Sequence, residues 1–149
     1  MDRGLGTRDR GPGHLPPTTN ALVLRTDFSD DGAWHEVCAA IERPVDGFQA
    51  YVDFVDDPQW DGISADEIVA SSAHDKTHRS FLFVVDATAI AGKEHAVLVV
   101  DLQTEPGRTF RAIPSEMWGV ENNLSLANMD FTEFADAADE DGVFRGFPR

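Results

Sequence analysis

Two aspartates stand where the carboxylates of open α/β sheets do their chemistry. Asp27 follows the apolar run ALVLRT (21–26), and Asp86 follows FLFVV (81–85). If both runs are parallel strands, the two carboxylates reach one sheet edge, where such a pair could hold Mg²⁺ or move protons. Asp101 ends the next run, AVLVV (96–100). That run is expected to point the other way, which puts Asp101 at the opposite edge and removes a third ligand. Aspartate after a strand is also an ordinary turn former. The pair therefore defines an alternative reading, a small ligand-binding or metal-dependent hydrolytic enzyme with its site near Asp27 and Asp86.

Other chemistry has less support. His74 and His78, with Asp75 between, have the spacing of a helical metal pair, but they fall in a polar stretch with Lys76 and Arg79 where a helix is ending. Solvated loop residues fit that context better. There is no G-x-S-x-G, no P-loop and no paired Cys and His on turns. Gly4-Leu5-Gly6 has no strand before it, and Ser71-Ser72 lie near a helix end. No catalytic residue, metal or cofactor is assigned.

The more specific pattern is aromatic residues set among acids. Trp60 lies in a turn with Asp56, Asp57 and Asp61, and Trp118 lies near Glu116, Glu121, Asn122 and Asn123. A large ring inside an anionic rim suits docking on a basic protein: the ring fills a pocket and the charge speeds encounter. These nine residues form the expected partner-binding set. The structural alternative is that both rings cap the chain's own core and that the asparagines, with Asn128, shape irregular backbone.

Charge narrows the partners. Twelve Lys+Arg against 27 Asp+Glu give a formal charge of −15, which disfavours nucleic acid and anionic membranes. The only cysteine, Cys38, leaves no disulfide framework and no Cys-based zinc site. No signal-peptide core or membrane-length apolar run is visible, so a cytoplasmic protein is expected.

The elements that position these residues follow from pattern. Residues 1–20 are rich in Gly, Pro and Arg and read as a flexible leader; 21–149 read as one domain. After the strand at 21–26, Ser29 and Asp30 can cap a helix whose inner face is Trp34, Val37, Cys38 and Ile41, ending before Pro44. Residues 48–55 alternate, with Phe48, Ala50, Val52 and Phe54 inward and Gln49, Tyr51 and Asp53 outward. Ser64 and Glu67 form a capping box, and Ile63 with Ile68 a staple, for a second helix. The runs 81–85 and 96–100 are covered on both faces and pair antiparallel, since the ten residues between them are too few for a parallel crossover. Glu105-Pro106-Gly107-Arg108 has type II turn chemistry and leads to a strand at 109–113. Pro114 can open a helical turn that Gly119 and the asparagines interrupt, and Asp130 with Glu133 starts a last helix. Asp139, Glu140 and Asp141 then stand at that helix's C-terminal end, where the dipole disfavours anions. Phe144 and Phe147 tuck the tail onto the core. The predicted order is β-α-β-α-β-β-β-α, a mixed α/β fold of about five strands with helices packed on the sheet.

Four separated motifs, LRTDFSDDGAW, EPGRTFRAIPSEMW, ENNLSLANMDFTEFA and DEDGVFRGF, make the chain resemble an uncharacterised bacterial domain family, best known from actinobacteria. The resemblance spans about residues 21 to 147. It implies a single cytoplasmic domain and carries over no catalytic or binding role. The function expected is thus a small acidic, non-enzymatic interaction domain with a basic protein partner, in the manner of an immunity or inhibitor protein, or a regulatory binding protein. A homodimer through an open edge at the second or fifth strand is a third reading.

Overall fold

The computed structural model describes residues 15–73 and 79–147. Six strands form one mixed sheet in the spatial order β2-β1-β3-β4-β5-β6. They are β1 (Ala21–Arg25), β2 (Val52–Val55), β3 (Phe81–Val85), β4 (Val97–Asp101), β5 (Thr109–Ala112) and β6 (Val143–Phe144). β1 lies inside the sheet, next to edge strand β2, and runs parallel to both β2 and β3, while β3, β4 and β5 form an antiparallel meander and β6 lies parallel to β5. The α/β class and the antiparallel β3–β4 pair are as expected. The strand count is not: Val143–Phe144, read as a tucked tail, is a sixth strand. It covers β5, so the open edges are β2 and β6 rather than β2 and β5.

Alternation along the strands divides the core into two clusters. Val23, Phe83, Val99, Phe110 and Phe144 point to one face. There they meet α1 (Asp31–Glu42), α3 (Ala87–Ala91), α4 (Met117–Ser125) and α5 (Phe131–Ala137). Leu22, Leu24, Leu82 and Val84 point to the other, against Trp60 and α2 (Ala65–Ser72), whose Ile68 is fully buried. The five residues of β3 are buried throughout, which is why that run shows no polar alternation.

The caps fall where the residue types place them. The Asp30 carboxylate accepts from the Ala33 N–H at 3.0 Å, and Ser64 Oγ accepts from the Glu67 N–H at 3.2 Å while Glu67 returns the bond to the Ser64 N–H. Glu133 accepts from the Asp130 N–H at 2.8 Å. Gly107 has φ +97°, and the Arg108 N–H donates to the Glu105 carbonyl at 2.9 Å, closing the type II turn.

Four local expectations are corrected. The predicted strand over 48–55 shortens to Val52–Val55, because Asp46 (φ 52°) and Gly47 (φ 84°) make a two-residue turn that pairs Val45 with Phe48 instead. The link between β3 and β4 contains α3. The asparagine segment is not an interruption: α4 runs through it to Ser125, with Asn123 Nδ2 donating to the Gly119 carbonyl at 2.8 Å. Residues 15–20, assigned to a leader, lie against the body. Leu15 is buried in the second cluster, and the Arg79 guanidinium donates to the carbonyls of Pro16, Thr18 and Asn20. His74 and His78 lie outside the described residues, as does the rest of the leader.

Candidate functional site

Asp27 and Asp86 do end parallel strands on one sheet edge. Three of their four carboxylate oxygens are engaged within the fold. Asp27 Oδ1 accepts from the Ser29 N–H at 2.8 Å and from its hydroxyl at 2.5 Å, and these bonds hold the Asp27 carboxyl below its ordinary range. Asp86 Oδ1 caps α3 through the Ala89 N–H at 3.1 Å, and both Asp86 oxygens bind the Arg111 guanidinium, at 3.0 and 2.7 Å. Asp101 sits at the far edge, as expected, and its oxygens accept from the N–H groups of Gln103, Thr104 and Glu105. Among the described residues no three His, Cys, Asp or Glu side chains are grouped to hold a metal ion.

Of the acids in the first tryptophan turn, Asp56 is held by Arg25, a buried guanidinium at the end of β1. It binds Asp31 at 2.6 Å and Asp56 at 3.2 Å and lies over the rings of Phe28 and Trp34, at 4.3 and 5.2 Å. The bond from Arg25 holds the Asp31 carboxyl below the usual range. Asp57 caps the single turn Pro58–Trp60 through the Gln59 N–H at 3.1 Å. That turn folds the Trp60 ring inward. Trp60 is 1% exposed, so it is a core side chain and not the expected anchor; the neighbouring Asp56 and Asp61 remain exposed.

The second tryptophan segment behaves differently. Trp118 is half-buried on α4 and stacks on Phe48, with ring centroids 4.6 Å apart and planes 14° apart. Its indole N–H is enclosed without a hydrogen-bond partner. Phe48 is 52% exposed and Tyr51 65% exposed, so two large rings emerge from the short segment that leads into edge strand β2. Glu121 fixes that segment. It is 4% exposed, and its oxygens accept from the Tyr51 N–H (2.7 Å), Asn122 Nδ2 (3.0 Å) and the Ser125 hydroxyl (2.7 Å). Asn122 also donates to the Gln49 carbonyl at 3.4 Å. Expected as a rim acid, Glu121 is instead the buried bolt between α4 and the entry to β2. The Asn123 side chain bonds within α4 while its carbonyl accepts from the Asn128 and Met129 N–H groups beyond the helix, and Glu116 is half-buried beside Gly146.

Six of the nine expected partner-binding residues fall into two groups at the ends of β2, while Glu116, Trp118 and Asn123 lie on or just before α4. Asp56, Asp57, Trp60 and Asp61 follow the C-terminal end of β2; Glu121 and Asn122 hold the segment before its N-terminal end. Sequence reasoning missed Phe48, which the alternation turned inward. The signal was present in Asp46-Gly47, a pair that favours a tight turn and ends a strand's register. Tyr51 was already on the outward side.

Cys38 packs against the first cluster. Burial, with the charges of Glu42 and Asp56, pushes its thiol up to about 12, which makes it a poor nucleophile.

A mixed six-stranded sheet with helices packed on both faces defines an α/β domain. No helix among the described residues is long and apolar enough to cross a membrane. Residues 20–147 match the model of a family described as a domain of unknown function, DUF6924, and the chain belongs to that family. None of the curated proteins matches the chain.

Proposed function

We propose that the chain is a small acidic, cytoplasmic protein-interaction domain whose partner is a basic protein, engaged in the manner of an immunity, inhibitor or regulatory binding protein. The observation that carries this is the pair of exposed rings, Phe48 and Tyr51, beside edge strand β2 on a chain of net charge −15. Trp118 supports Phe48 from beneath, so the ring is held ready for contact and loses little freedom on binding. The exposed carboxylates of Asp56 and Asp61 follow the same strand and steer a cationic partner toward it.

The test is capture from extract of the native source by the intact chain and by the double variant Phe48→Ala/Tyr51→Ala. A basic protein retained by the first, released by added salt and lost by the second is the expected result. Retention indifferent to both salt and the double variant would overturn it.

A further inference from the structure

Cations are scarce here, and among the described residues five of the seven Lys and Arg side chains are committed inside the fold. Arg25, Arg108, Arg111 and Arg145 each bind carboxylates, and Arg79 binds the carbonyls of the 15–20 segment. Of the cationic side chains among the described residues, that leaves Arg43 and Lys93, neither of which has a carboxylate partner there. Both are exposed, and both line the same groove of about 330 Å³. Its floor is apolar, made by Ala40, Val45, Ile113 and Pro114, with His95 and the Ser115 hydroxyl at the rim. One acid, Glu94, also lines it, and Arg145 binds that carboxylate through two bonds of 2.8 and 2.7 Å. Further out, the Arg145 guanidinium is closed off by Asp139 and Asp141.

We infer that this groove, between the end of α1, the loop before β4 and the turn Pro114–Glu116, binds a small organic anion: a carboxylate or phosphate monoester carrying an apolar body. Charge complementarity argues for it. On a molecule of −15, Arg43 and Lys93, which lack a carboxylate partner among the described residues, both line one apolar depression. The floor favours a hydrocarbon or aromatic portion, and Arg43 and Lys93 favour the anionic head. The volume lies at the small end of ligand sites, which sets the size of that body. The inference stands apart from the basic-partner reading, since it concerns other residues and the opposite charge.

The test is calorimetric titration of the whole chain, at physiological salt, with 2-naphthoate, its neutral counterpart 2-naphthalenemethanol, and inorganic phosphate. Binding of 2-naphthoate at least about tenfold tighter than of the alcohol or of phosphate is expected, with about a tenfold loss in Arg43→Gln/Lys93→Gln. Both substituted side chains are exposed, and circular dichroism checks that the variant stays folded. No naphthoate binding, or naphthoate binding equal to the alcohol's or unchanged in the double variant, overturns the inference. Phosphate binding as tightly as naphthoate overturns the role given to the floor. In the affirmative case, amide shifts of Ala40 and Ser115 move on titration; shifts confined to residues elsewhere overturn the location.

Discussion

Glu121 shows how one carboxylate can be structural where its surroundings suggested a surface. Burying it is tolerable because three donors from three residues meet its two oxygens. Glu121→Ala leaves the Tyr51 N–H without its acceptor and should lower stability by about 1–3 kcal/mol, with Glu121→Gln costing less because one acceptor oxygen survives. Urea unfolding of the two variants checks the order; equal losses would remove the hydrogen bonds as the cause. Sequence alone could not assign Glu121 or Trp60. It displays a residue's charge or size, whereas the partner that buries it lies 70 positions away for Glu121, at Tyr51. Trp60 carries the same lesson in reverse. Its acidic neighbours signalled a wet turn, yet Asp57 caps the turn in a way that sends the ring into the core.

At the scale of elements, what was legible depended on length and on local chemistry. The Ser64–Glu67 box declared α2 unambiguously, because the bonds it makes are all within four residues. Ser64→Ala should cost about 1 kcal/mol, read by chemical denaturation, and an unchanged midpoint would mean the cap contributes nothing. The five residues of α3 and two of β6 are too short for any hydrophobic period to appear. Their reasons to form are tertiary. Asp86 caps α3 while holding Arg111 of β5, and β6 is held by pairing and by the ring cluster of Phe110, Phe134 and Phe144.

The acids after α5 broke the dipole rule, and Arg145 explains them. Its guanidinium binds Asp139 and Asp141 at 2.7 Å each, together with Glu94. Arg145 holds the carboxyls of Glu94 and Asp141 below their ordinary range. A carboxylate with a depressed folded-state pKa adds stability above its unfolded value, about 4, and loses it as pH falls through the folded value. Arg145→Met should therefore lower stability at neutral pH and flatten the decline below about pH 4. Urea midpoints taken at several pH values decide it. An acid limb as steep in the variant as in the wild type would detach these two groups from the effect.

For the whole molecule, the charge is the dominant fact. Among the described residues five arginines are spent on internal contacts, and the chain as a whole carries a formal excess of 15 negative charges. Their mutual repulsion is long-ranged and screens away first, while the arginine pairs are in contact. Raising NaCl from about 10 mM to about 150 mM should therefore raise the melting temperature. A fall would mean that the contact pairs outweigh the repulsion. The mixed α/β class and the β3–β4 pairing were readable from the chain, because runs covered on both faces and a short link between them leave few alternatives. The crossover from β1 to β2 was less so, since the strand it reaches is only four residues long and half-covered.

The placement of β1 has a consequence for how the chain assembles. Val23 sits beside Phe54 on one side and Phe83 on the other, partners 31 and 60 positions further along. The meander β3–β4–β5 closes over short loops, whereas both seams of β1 require distant segments to return. On the ribosome, then, β1 stays unzipped on one flank until synthesis has passed Phe83, and its place in the sheet is filled on both sides only by segments made after it.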